Sequence, residues 1–281
     1  MLRYSLAILL IASAAGLPAA AATQGQRLLA DAADGRLDEG DFASACLIAG
    51  GTSDPSELAE LRSRWSGLQE RHDLVAARDS SPVELARELH AILHSQVLIG
   101  NYRADASDLG PTIRGGDFNC LSAAALYWDF AAQAGIPLQI WSRPGHVYLL
   151  EPDSGLVIEP GSRSWGSRSP ASVSRQHVTA ARQITPLQLV GKFYYNRGLT
   201  LLQQGRHAEG LECIRASLQL DPGDREARRN LLAGINNWAV TLCGQDRFAE
   251  ARLLIAQGLA IDAAYAPLVA NARYVQARLS R

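Results

Sequence analysis

The sequence predicts an α+β fold: a helical N-terminal region, a small core in which one apolar helix meets short strands, and an all-helical stack beyond it. Three observations predict it. Apolar residues recur at three- and four-residue spacing up to Ile99 and again after Pro186, the signature of amphipathic helices. Between them, short apolar runs alternate with Arg143-Pro144-Gly145 and Pro152-Asp153-Ser154-Gly155, the pattern of strands joined by tight turns. Two windows after residue 190 also repeat one another.

The 281 residues are 47% hydrophobic and 20% charged, which is the apolar content of a globular protein rather than a disordered one. The 27 basic and 28 acidic residues give a formal net charge of −1, so no broad basic field exists to hold nucleic acid. Lys192 is the only lysine.

Residues 1–22 read as a signal peptide: Arg3 supplies the positive end, an unbroken apolar run covers 6–12, and the alanines at 19–22 offer small-residue cleavage sites. The expectation is an exported protein, periplasmic or extracellular. No later segment approaches the roughly eighteen consecutive apolar residues of a spanning helix, so an integral membrane protein is not expected. An oxidising compartment usually pairs cysteines. Here Cys46, Cys120, Cys213 and Cys243 are far apart and form no C-x-x-C pair, and the last two sit inside helical patterns. A role as small apolar residues is favoured over a Cys213–Cys243 bridge, and no metal site is expected from the set.

Residues 23–99 form the helical N-terminal region. Leu58, Leu61, Trp65 and Leu68 share one helical face, Leu85, Leu89, Ile92 and Leu93 another, and Ser81-Pro82 with Glu84 marks a capped start. Residues 100–160 form the mixed core. A loop rich in glycine (Gly100, Gly110, Gly115, Gly116) leads into an apolar helix over 120–134, stopped by Gly135 with Pro137 just beyond. Strands follow at 138–141, 146–151 and 156–159. Residues 161–185, rich in Ser, Arg and Gly without a period, predict a linker. Thr185-Pro186 then caps the first helix of the 186–281 region.

Within that region Gly198, Gly205 and Asp221-Pro222 have counterparts 41 positions on, at Ala239, Asp246 and Asp262-Ala263. Both windows resemble tetratricopeptide repeats, helix pairs of about 34 residues that stack to bury one core. Gly210 stands where alanine is usual, and residues 225–231 lengthen the helix that opens the second repeat. Two repeats fall short of the three an independent array needs, so the helix from Pro186, one from Ala266, or the preceding domain is expected to cap the stack. The resemblance implies a protein or peptide partner.

Asn119-Cys120 places a cysteine at the first turn of an apolar helix, with Asn119 as a natural N-cap. Free backbone N–H groups and the helix dipole favour thiolate there, and the same amides can form half of an oxyanion hole. Pro144-Gly145-His146 puts a histidine at the start of a strand. A four-residue turn at 152–155 pairs Glu151 with Leu156 and Tyr148 with Glu159, so His146 lies diagonal to Glu159 on one face, at roughly 7 Å between β-carbons. Cys120, His146 and Glu159 then make a nucleophile, a base and an orienting group.

Together with Gly135-Ile136-Pro137, His146-Val147 and Ile158-Glu159-Pro160, these residues resemble the bacterial transglutaminase-like superfamily, papain-like in its triad logic. The resemblance covers about 100–160. It implies that Cys120 attacks an amide carbonyl to form a thioester, that His146 serves as base and acid, and that Glu159 orients it, with no metal or cofactor. Glu159 departs from the commoner aspartate. Asn101 and Asn119 are the candidate side-chain oxyanion donors. The alternative is a catalytically inert domain of this kind serving a periplasmic interaction module.

His90 and His94 stand at i, i+4 on one helix, but no glutamate follows His90 as a zinc metalloprotease motif requires, and no metal is expected there. Tyr102, Trp128 and Trp141 are candidates to line a groove, while Tyr127 is assigned to the core. His72, His177 and His207 are assigned to the surface.

Overall fold

The computed structural model describes residues 22–71, 80–165 and 181–280. The leader expected over 1–22 therefore lies outside the described residues apart from Ala22, as do His72 and His177.

Four helices, α1 (Gln24–Asp31), α2 (Phe42–Gly50), α3 (Pro55–Arg71) and α4 (Pro82–Gln96), make the N-terminal region. The start expected at Ser81 is a capping box, in which the Ser81 side chain accepts from the Glu84 N–H and Glu84 reaches back to the Ser81 N–H. After the short α5 (Leu109–Ile113) comes the central apolar helix α6 (Cys120–Gln133). Trp65 of α3 is buried and donates its indole N–H to Asp129 of α6 at 2.8 Å, which ties the N-terminal region to that helix.

Strands β1 (Gln139–Arg143), β2 (His146–Glu151), β3 (Leu156–Ile158) and β4 (Arg182–Ile184) form one antiparallel sheet in the order β3-β2-β1-β4. Gly145, at φ +69°, lets the chain turn sharply between β1 and β2, so Arg143 pairs with His146 and the histidine opens its strand. Glu151 pairs with Leu156 and Leu149 with Ile158, the register that the 152–155 turn dictates. Burial alternates along β2, with Val147 and Leu149 inward and packed with α6.

Of the segment 161–185 expected as a linker, residues 166–180 lie outside the described residues, and its end is a strand. In that strand, β4, Ile184 pairs with Ile140 and Gln183 with Trp141 along the free edge of β1. Only one of the three β4 residues is apolar, so the strand is made by the edge it pairs with rather than by its own pattern.

The helical stack consists of α7 (Pro186–Gln203), α8 (His207–Leu220), α9 (Arg225–Gly244), α10 (Phe248–Ile261) and α11 (Ala266–Leu279). The α7 and α8 backbones nearly touch: a Cβ on Gly198 would come 2.8 Å from the Gly210 carbonyl oxygen, and one on Gly210 2.9 Å from that of Gly198. That approach explains a glycine at 210 where the repeat usually has alanine. At the far end Leu268 of α11 packs over Gly258 of α10, so α11 covers the stack as expected.

Two hydrophobic cores result. The first runs from Leu28 through the sheet and α6 into α7 and α8, taking in Phe193, Leu201, Cys213 and Ala216. The second lies among α9, α10 and α11 with Tyr195, Leu211 and Ile214. Cys213 belongs to the first core and Cys243 borders the second, and all four cysteines are free thiols. The corner between α8 and α9 is fastened to the rest: buried Asp221 pairs with Arg182 of β4 and accepts from Gln188 at 3.2 Å, while buried Asp224 accepts from Lys192 of α7 at 2.6 Å. Among the described residues, no helix is long and apolar enough to cross a membrane.

The chain at Gly100 crosses the backbone at Gly116 so closely that a Cβ at Gly100 would overlap the Gly116 carbonyl. Gly100→Ala is expected to lower unfolding stability by about 1–3 kcal/mol through that collision, read as a lower urea midpoint at unchanged slope.

Candidate functional site

The crossing at Gly100 and Gly116 is the start of the site. Beyond it Arg103 N–H donates to the Phe118 carbonyl at 2.9 Å and Phe118 N–H to the Asn101 carbonyl at 3.1 Å, a short parallel bridge between Tyr102 and Phe118. The bridge brings the Tyr102 side chain to the residue that opens α6, and Gly161 leaves room for its ring. Asn119 caps α6 as expected: its Oδ1 accepts from Leu121 and Ser122 N–H at 2.9 and 3.0 Å.

Cys120 follows at the first helical position. Its sulfur interacts with the His146 imidazole, the Val147 N–H and the Tyr102 hydroxyl. His146 donates or accepts through Nε2 at 2.7 Å from Glu159 Oε2, which leaves Nδ1 as the ring nitrogen for Cys120. The structure thus brings Cys120, His146 and Glu159 into one row, and the diagonal placement on the hairpin is what allows the second contact.

Burial pulls the Cys120 thiol upward, but hydrogen bonds from His146 and Val147 and the charge of His146 outweigh it and the pKa falls below its usual value. Burial opposes protonation of His146 as well, yet its hydrogen bonds to Cys120 and Glu159 and their charges raise it to about 9. Opposite shifts of this kind favour a thiolate–imidazolium pair at neutral pH, the charge state of an activated nucleophile.

Cys120 and His146 open onto a cleft of about 400 Å³. Its facing wall is α7, through Lys192, Tyr195, Asn196, Leu199 and others. Nothing in the composition of α7 announces this; the available signal is a mostly polar stripe at helical spacing, interrupted by Leu199.

Of the two asparagines expected as oxyanion donors, Asn119 lines the cleft with its amide hydrogens already engaged and Asn101 does not line it. Asn119 Nδ2 is spent on the Ala104 carbonyl and Ser107 Oγ at 3.1 and 3.0 Å, and the Leu121 and Ser122 amides are taken by the cap. Asn101 lies outside the cleft lining, beside Asp117. The Tyr102 hydroxyl, which also accepts from the Cys120 N–H, is the polar group that sequence reasoning placed no closer than the groove wall. Tyr127 is fully buried and donates to the Ala86 carbonyl, as a core residue. Trp141 stacks on Tyr148 across the sheet and is not part of the lining.

His90 and His94 are buried, with Nε2 2.9 Å from the Ser162 carbonyl and 3.0 Å from the Pro160 carbonyl respectively. The pair therefore pins the segment just after Glu159. Among the described residues, no three His, Cys, Asp or Glu side chains are gathered as a metal site.

Residues 191–224 match the family model of the tetratricopeptide repeat, covering most of α7, all of α8 and the Asp221-Pro222 corner. That match supports a protein-interaction role for the helical stack. No curated protein and no solved structure matches the chain.

The buried histidines make stability depend on pH. Burial first, then the neighbouring charges of His90 and Arg163, hold His94 down to about 4 against the upward pull of the Pro160 carbonyl. Burial likewise lowers His90. In the unfolded chain both titrate near about 6.5, so between that pH and about 4 the unfolded state binds more protons. Stability is expected to be complete above pH 6.5 and to fall as pH drops toward 4, with a smaller fall in His94→Gln, measured by urea unfolding at each pH.

Proposed function

We propose that the protein is an exported cysteine enzyme of the transglutaminase-like kind, performing acyl transfer or hydrolysis at an amide through a thioester on Cys120. The observation that carries this reading is the row in which Glu159 holds His146 and His146 faces Cys120 at the head of α6, open to a cleft. Export rests on the character of residues 1–22 alone.

In the proposed reaction the Cys120 thiolate attacks the substrate carbonyl carbon, and the carbonyl electron pair moves to oxygen. A substrate oxygen entering beside Cys120 takes the Cys120 N–H and the Tyr102 hydroxyl as donors. Collapse breaks the C–N bond, and His146 gives its proton to the departing amine. Water or an acceptor amine then attacks the thioester, loses its proton to His146, and the thiolate is restored. Glu159 keeps the imidazole aligned throughout and favours its charged form.

A second reading has its own support in the repeat match at 191–224: a binding module built on an inert cysteine domain.

The state of the thiol separates the two. On the first reading iodoacetamide alkylates Cys120 at pH 6.5 at least about tenfold faster than a cysteine of ordinary pKa near 8.5, with the site located by peptide mass mapping, and His146→Ala abolishes the excess. An ordinary profile indifferent to His146 would leave the binding module. Turnover, once a substrate is found, should decline above pH 9 as His146 loses the proton it donates.

A further inference from the structure

We infer that the substrate is a polypeptide segment lying extended along α7, so that the first repeat helix is the specificity wall of the Cys120 cleft; this rests on the acyl-transfer reading above. Lys192, Tyr195, Asn196, Leu199, Thr200 and Gln203 all line the cleft. They recur at three and four residues, so they form a single stripe on one side of the helix.

Exposure rises along that stripe from Tyr195 onward. Lys192 is half-buried and Tyr195 buried, Asn196 and Leu199 are half-buried, and Thr200 and Gln203 are exposed. The stripe is therefore sheltered at its Lys192 end and meets solvent at its Gln203 end. From Lys192 to Gln203 the helix rises about 16 Å, the span of about five residues of extended chain.

The chemistry of the wall suits a backbone more than a small ion. Lys192 is already neutralised by Asp224 at 2.6 Å, so the α7 wall does not present it as a free cation for an anionic metabolite. Asn196 gives one amide hydrogen to Ser107 Oγ at 3.0 Å and keeps its carbonyl oxygen as an acceptor. Gln203 offers both a donor and an acceptor, and Leu199 between them offers apolar contact. Amide donors and acceptors spaced along an apolar strip match the alternating N–H and C=O of an extended peptide. Tyr195 is fixed from behind, because its hydroxyl accepts from Asn230 of α9 at 2.5 Å. The repeat therefore binds on the same surface that holds the nucleophile.

The test uses the full chain and peptidyl acyloxymethyl ketones of one to five residues, each an equimolar library, with inactivation rates divided by the iodoacetamide rate. The expected result is a ratio that climbs at least tenfold from one residue to about five and that Thr200→Trp cuts by a similar factor. Thr200 is exposed, so the variant should keep its circular dichroism and melting temperature; Gln203→Trp serves as a second obstruction. A length-independent ratio, or one indifferent to both tryptophans, with an activated thiol still present, would overturn the inference and leave the acyl-transfer reading standing. A thiol without activation would overturn both.

Discussion

The passage of the chain at Gly100 against the backbone of Gly116 leaves no space for a Cβ, and the placement of both Tyr102 and Cys120 follows from that contact. Once the two backbones touch, residues 101–103 can pair with Phe118, and the next residues have to turn into a helix. Asn119 supplies the turn with both ends of its amide: Oδ1 starts α6 and Nδ2 fixes the preceding loop at Ala104 and Ser107. The cysteine is thereby delivered to a helix N-terminus beside a tyrosine hydroxyl. The helix end alone is worth a modest bias toward thiolate; the larger bias comes from His146, which arrives on a separate element, the β1–β2 hairpin.

A second dependence joins the sheet to the helical stack. Arg182 belongs to β4 and Asp221 to the corner after α8, and among the described residues the buried carboxylate pairs with no other cation. Lys192 and Asp224 repeat the arrangement one turn further on, and Lys192 holds the Asp224 carboxyl below its usual range in spite of burial. Buried pairs of this sort add little net stability over apolar residues, but removing one partner strands a charge and is costly. Their effect is geometric: the angle between the α7 wall and the Cys120 wall is fixed by charges that cannot be separated cheaply.

Much of this was legible in the residues and some was not, for reasons that differ. Ser81, Asn119 and Thr185 act on amides three residues away, so the helix starts could be read locally, and all three are the expected N-caps, each completed by a capping box. The hairpin register was equally open to reading, because the 152–155 turn leaves Glu151 only Leu156 to face. β4 was hidden because Arg182-Gln183-Ile184 has no strand pattern of its own and borrows one from the edge of β1. The α7 wall was hidden for a related reason. Periodicity says that a helix has a second face without saying what that face looks at. His90 and His94 show the same limit: their spacing is that of a metal pair, and only the fold reveals that the Pro160 and Ser162 carbonyls occupy them.

The helix pair α7–α8 stands between two cores and contributes side chains to both, with Phe193 and Cys213 on one side and Tyr195 and Leu211 on the other. A tetratricopeptide array normally behaves as interchangeable modules, each resting only on its neighbours. Here that freedom is unevenly distributed. The α10–α11 part meets the rest chiefly through α9 and can be lengthened, shortened or exchanged by recombination with little consequence for the cysteine site. The first pair cannot be traded away, since it is at once a repeat, a piece of the neighbouring core and one side of the cleft. Evolutionary change in repeat number is thus channelled to the distal end, while change in what the cleft accepts is channelled to point substitutions on a single helix.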